Sequence, residues 1–103
     1  MAIGGDLYTF NEENVNRAPE KHGVYALYDG STLIYIGRAA GDGVTIRGRL
    51  QSHFRGDEGN CTKQATRYRR EVTESATSRE RELLEEYQGS HGGKLPRCNE
   101  RSA

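Results

Sequence analysis

The stretch Gly23-Val24-Tyr25-Ala26-Leu27-Tyr28-Asp29-Gly30-Ser31-Thr32-Leu33-Ile34-Tyr35-Ile36-Gly37 decides how this chain of 103 residues is read. Residues 23–28 and 32–37 are rich in Val, Ile, Leu and Tyr and flank Asp29-Gly30-Ser31, so the stretch predicts a β-hairpin. Side chains alternate between the faces of a strand, and directly opposed residues share a face. A three-residue loop at Asp29-Gly30-Ser31 sets Tyr28 opposite Thr32 and Tyr25 opposite Tyr35, joining two phenols on one face. A two-residue Gly30-Ser31 loop would instead pair Tyr25 with Ile36 and send the tyrosines to opposite faces. Because tyrosine is a strand former in its own right, the pair gains chemical meaning only from its neighbours.

After the flexible Gly41–Gly43 segment, Ile46, Leu50 and Phe54 recur every four residues, a helical stripe ended by Gly56. Arg49 and His53, four apart, then share one flank of that stripe. Arg49 offers a fixed positive fork suited to phosphate, and His53 can exchange a proton near neutral pH. A polar loop leads to Tyr68–Thr73, expected as a third strand with Val72 as its apolar residue. Residues 76–87 predict a second helix, with Thr77 or Ser78 as N-cap and Gly89 beyond its end. Its inward stripe is Ala76, Glu80, Leu83, Leu84 and Tyr87, so one carboxylate lies on an apolar face. Such a group calls for a cation or strong donors; a capping box back to Thr77 is the structural alternative. Gly89–Gly93 is a turn into Leu95-Pro96-Arg97-Cys98-Asn99. Ahead of the hairpin, residues 1–22 read as a leader with one short helix near Asn11–Arg17, stopped before Pro19.

At this length the chain suits a single domain, residues 1–103, with the leader at 1–22 and a core at 23–99. With 33% hydrophobic residues and no tryptophan the core is lean, and Val24, Leu27, Leu33, Ile34, Ile36, Leu50, Phe54, Leu83 and Leu84 are expected to carry it. No apolar run approaches the roughly 20 residues of a membrane span, and the amino terminus lacks a signal-peptide profile. Cytoplasmic location without membrane association is the resulting expectation. Cys61 and Cys98 fit no metal or redox spacing and are expected as free thiols; Asn60-Cys61-Thr62, formally a glycosylation acceptor, is then chance. The net charge is zero, yet residues 30–70 hold eight Arg and Lys against three Asp and Glu, a local net of +5. Arg38, Arg47, Arg55, Lys63, Arg67, Arg69 and Arg70 are therefore candidates for contacting a polyanion such as a phosphate backbone.

Taken together, these residues resemble the GIY-YIG nuclease family over about residues 22–99. The two tripeptides match Gly23-Val24-Tyr25 and Tyr35-Ile36-Gly37, and the basic residue after the second matches Arg38. The family's Arg-Leu-x-x-His/Tyr signature matches Arg49 with His53 four places on, and its metal-binding glutamate matches Glu80, followed by Leu83 and Leu84. The terminal Pro-x-x-Asn matches Pro96-Arg97-Cys98-Asn99, although the Gln88–Leu95 stretch is longer than the compact family pattern.

This resemblance implies an α/β fold with a small three-stranded, mostly antiparallel sheet covered by helices. It also implies a divalent-metal-dependent endonuclease, structure-selective or weakly sequence-specific, that hydrolyses phosphodiester bonds in DNA, with RNA as an open alternative and DNA repair or recombination as the setting. The site would comprise Tyr25, Tyr35, Arg49, His53, Glu80 and Asn99, with one Mg²⁺ or Mn²⁺ on Glu80 acting as a Lewis acid. Arg49 and Arg38 would stabilise charge on the phosphoryl oxygens. Tyr25, Tyr35 or His53 must take the proton of the attacking water. Analogy favours Tyr25 relaying through His53, while the unperturbed pKa of a phenol, about 10, favours His53. Asn99 would position a ligand or hold the carboxyl-terminal segment in place. With no separate recognition domain in sight, specificity would come from a protein partner, a homo-oligomer or DNA structure. The alternative from another class is a non-catalytic nucleic-acid-binding module within a larger assembly.

Overall fold

Val24 and Tyr25 are neighbours in the hairpin, yet they enter different hydrophobic cores, and that division organises the molecule. The structure, a computed structural model, describes residues 2–99. Its elements are β1 (Tyr8–Thr9), α1 (Glu12–Asn16), β2 (Gly23–Asp29), β3 (Thr32–Ala39), α2 (Ile46–Arg55), α3 (Asn60–Lys63), β4 (Arg67–Val72) and α4 (Ala76–Ser90). All strand pairs are antiparallel, in the order β1-β4-β2-β3. The sheet has four strands rather than the three expected, because Tyr8 and Thr9 of the supposed leader pair with Tyr68 and Arg67.

Both faces of the sheet are covered. On one, Tyr25, Leu27, Ile34, Ala39 and Tyr68 pack with Val15 of α1 and with Ile46 and Leu50 of α2. On the other, Val24, Ala26 and Ile36 pack against Leu83 of α4, flanked by Leu33, Leu84 and Tyr87. Continuous burial along β2 follows from its place between β4 and β3. Leu50 is fully buried, and removing a leucine side chain from water in this way contributes about 1.5–3 kcal/mol. Gly23 is required by close packing, since a Cβ there would lie 2.2 Å from the Glu71 carbonyl oxygen and 2.7 Å from Ile46 Cδ1.

Residue pairing in the hairpin corrects the expected register. Asp29 pairs with Thr32 across a two-residue Gly30-Ser31 turn, in which Gly30 takes φ 64°. The register then shifts between the Tyr28–Leu33 and Leu27–Tyr35 pairs, leaving Ile34 as one extra residue on β3. Tyr25 is consequently opposite Gly37, and Tyr35 opposite Leu27. A short loop alone would have separated the tyrosines; the bulge supplies the odd residue that returns them to one face.

α2 starts at an N-cap Thr45 whose side chain accepts from Gly48 N, and ends at Gly56 with φ 85°. Its buried residues are Ile46, Leu50 and His53, while Phe54 is 37% exposed and meets Phe10 edge-on. The expected stripe through Phe54 is corrected by helix geometry. At about 100° per residue, position i+7 sits about 20° from position i, whereas i+8 is displaced by about 80°. α1 begins after the N-cap Asn11 and is shorter than expected. α4 begins after Ser75, so Thr77 and Ser78 lie inside the helix, as does Gly89 near its end. Within α4, Ala76 and Leu83 are buried and Glu80, Leu84 and Tyr87 partly so.

The two cysteines are not free: Cys61 on α3 and Cys98 form a disulfide across 37 positions. The pairing arises because residues 96–99 run back along β3, where Cys98 N donates to Ile34 O at 2.8 Å. Spacing along the chain carried no trace of this return. No described helix is long and apolar enough to cross a membrane.

Candidate functional site

Tyr25 projects from the middle of β2 and is fully buried. Its Oη lies 2.9 Å from His53 Nε2, and the other ring nitrogen, Nδ1, lies 2.8 Å from Thr62 Oγ1 on α3. His53 and Thr62 are themselves 1% and 3% exposed, so β2, α2 and α3 meet in a buried chain of three polar side chains. Tyr35, half-buried on β3, completes an aromatic cluster with ring centroids 6.1 Å from Tyr25 and 5.0 Å from His53.

Arg49, one turn before His53, extends from this cluster toward solvent. Its Nη1 is 3.5 Å from Glu58 Oε2, and its Nε is buried without a hydrogen-bond partner among the described residues. From the opposite face of the sheet, Arg38 reaches Glu80 of α4, its Nη1 donating to Oε1 at 2.7 Å. Because β3 is the outermost strand, the two groups meet around its edge. Tyr35, Arg38, Ala40, Val44, Arg49 and Glu80 line one cleft of about 370 Å³.

The electrostatics sort these groups by role. Burial, with Tyr35 close by, pushes the Tyr25 phenol well above the usual tyrosine range, against the pull of Arg49. Burial also raises Tyr35, again opposed by Arg49. For His53 the same burial, reinforced by the Arg49 charge, drives the pKa down to about 4. At neutral pH both phenols therefore hold their protons, and His53 is the neutral group able to take one.

Asn99 does not line the cleft. Its Oδ1 accepts from Ile36 N and its Nδ2 donates to Ile36 O, both at 2.9 Å, so its side chain extends the sheet by one amide beside Tyr35. The remaining basic residues do not gather into one patch. Arg47 donates to Ala18 O and pairs with Glu20, Arg55 pairs with Asp57, and Lys63 is exposed on α3. On β4, Arg67 and Arg69 share the α4 face, where Arg69 lies over the Tyr28 ring. Arg70 faces the other side and stacks on Tyr8.

Two contributors were not anticipated. Thr62 on α3 and Glu58 just before it come from the polar stretch between α2 and β4, where neither periodicity nor spacing marks a residue that will turn back onto His53 or Arg49. Among the described residues, no group of three or more His, Cys, Asp and Glu side chains is arranged to hold a metal ion.

No curated protein and no solved structure matches the chain. Residues 6–90 match the family described as a domain of unknown function, DUF7508. That match covers all of the cleft's lining residues and both cores except Cys98 and the flanking Ile3, and the chain belongs to the DUF7508 family.

Proposed function

We propose that this protein is a divalent-metal-dependent endonuclease of the GIY-YIG kind, hydrolysing phosphodiester bonds in DNA with structure-selective or weak sequence preference. The observation that carries the reading is the shared cleft of Tyr35, Arg38, Arg49 and Glu80, backed by the Tyr25–His53 hydrogen bond. Two guanidinium groups there suit the oxygens of a phosphodiester and would stabilise charge that develops on them. Tyr25 is fully buried and outside the cleft lining, so the attacking water must first gain access to its hydroxyl; there, as the Tyr25 oxygen takes a proton from water, its own hydroxyl proton would pass to His53 Nε2. The relay starts from a protonated Tyr25 and a neutral His53, so no free phenolate is needed, while the lowered pKa of His53 makes it a weaker acceptor than an ordinary imidazole.

The donor chemistry fits Mg²⁺ or Mn²⁺ as a single ion. Mg²⁺ keeps several waters and needs only one or two carboxylates besides substrate phosphate, and Glu80 offers one. Such an ion would act as a Lewis acid at the scissile phosphate. Glu80 is held by Arg38 meanwhile, an arrangement that keeps a lone carboxylate compensated.

The same ion pair is what favours a second reading, a nucleic-acid-binding module without catalysis, because a carboxylate neutralised by its own arginine need not recruit a metal. Purified protein incubated with single-stranded, duplex and branched DNA, and with RNA, in Mg²⁺, Mn²⁺ or EDTA separates the two. Metal-dependent cutting that disappears in Glu80→Gln is the expected result. Binding without cutting under every condition would overturn the enzyme reading in favour of the module.

A further inference from the structure

The buried chain does not end at His53. Thr62 Oγ1 is 2.8 Å from His53 Nδ1, and Tyr25 Oη is 2.9 Å from Nε2, so each nitrogen of one neutral ring faces a hydroxyl. A neutral imidazole has one N–H and one acceptor nitrogen, and each hydroxyl can serve either. What breaks the symmetry is Arg49, a group with donors only, whose guanidinium lies beside the Tyr25 hydroxyl. A cation there draws the lone pairs of the Tyr25 oxygen, which favours an O–H aimed at His53 Nε2.

We infer that Thr62 is a positioning residue: it holds His53 as the Nδ1–H tautomer, leaving Nε2 free to accept the proton of Tyr25. This inference rests on the proposed nuclease reading for its consequence, though not for its geometry. The placement of Thr62 is itself tied down, because the adjacent Cys61 is bonded to Cys98 and so anchors α3 to the segment running along β3. Without an acceptor at position 62, a buried Nδ1–H would lose its partner, and the ring would gain by moving the proton to Nε2 and donating to Tyr25. Tyr25 would then have no acceptor for its proton during attack by water.

Nitrogen-15 NMR of the imidazole rings tests this, with His53 identified by comparison with His53→Gln, since the chain has three histidines. The wild-type protein and Thr62→Ser are expected to show a protonated Nδ1 and a bare Nε2. Thr62→Val, close to isosteric, should shift the population toward Nε2–H. In cleavage assays it should lower kcat by about tenfold or more with KM little changed, and Thr62→Ser should restore most of the rate. A wild-type ring protonated on Nε2, or a Thr62→Val ring still protonated on Nδ1, overturns the inference. Should the wild-type protein cut nothing, the nuclease reading fails, while the ring signals still decide what Thr62 does.

Discussion

Tyr25 lies directly across the hairpin from Gly37, and its ring fills the volume that a side chain at position 37 would need. A Cβ there would come within 2.5 Å of Tyr25 Oη and 2.7 Å of Tyr35 Cε2. Gly37→Ala should therefore push both rings and lower stability by about 1–3 kcal/mol, the usual cost of overpacking. Urea unfolding measures it, and an unchanged midpoint would show that the rings have room to move.

Glu80 and Arg38 form a partly exposed ion pair, with side chains 17% and 48% accessible. Pairs of this kind contribute at most about 1 kcal/mol. Glu80→Gln should thus leave the unfolding midpoint nearly unchanged while abolishing Mg²⁺-stimulated cleavage. Parallel denaturation and cleavage assays separate the two effects, and retained cutting would remove Glu80 from the chemistry.

Acid should weaken the fold through His53. Its pKa in the folded protein, about 4, lies below the ordinary 6.5, so between these values the unfolded chain binds more protons. The stability linked to the neutral ring is complete above about pH 6.5 and is lost as pH falls toward 4, by up to about 3 kcal/mol. Partly exposed His22, raised mainly by its bond to Glu74, acts in the opposite sense. The difference between wild type and His53→Gln across this window isolates the term; parallel pH profiles would contradict it.

Reduction of Cys61–Cys98 opens a loop spanning 37 positions, worth up to ~4 kcal/mol in the chain-entropy account. Cys98→Ser or a thiol reductant should lower the unfolding midpoint. Hydrogen exchange at the Ile36 amide should also quicken, because that N–H donates to Asn99 Oδ1 just beyond the bridge. Unchanged exchange at Ile36 would mean that the terminal segment stays docked by its own contacts.

Much of this architecture can be read from local pattern. Strands β2 and β3, helix α2 with its Gly56 end, and the apolar stripe of α4 with Glu80 on it all follow from periodicity and turn chemistry, which depend on neighbours a few residues away. Tyr25, Tyr35, Arg49 and His53 were singled out because the hairpin and helix α2 carry strong local signals. What escaped depends on distant pairing. β1 is two residues long and exists because Tyr68 and Arg67 lie beside it. The bulge at Ile34 reflects a competition between a tight turn and burial of the tyrosine face, and a loop sequence alone does not decide it. Thr62, Glu58 and the disulfide join points that only the completed fold brings together.

β3 forms one border of the sheet, and among the described residues Cys98 and Asn99 bond to it at Ile34 and Ile36. Arg38 lies two positions beyond Ile36 on β3, and there the groups from opposite faces meet. Any strand that added itself along β3 beyond Ile36, from a second copy or a misfolded neighbour, would bar entry to the cleft, so the protein cannot both grow its sheet on that side and admit a ligand.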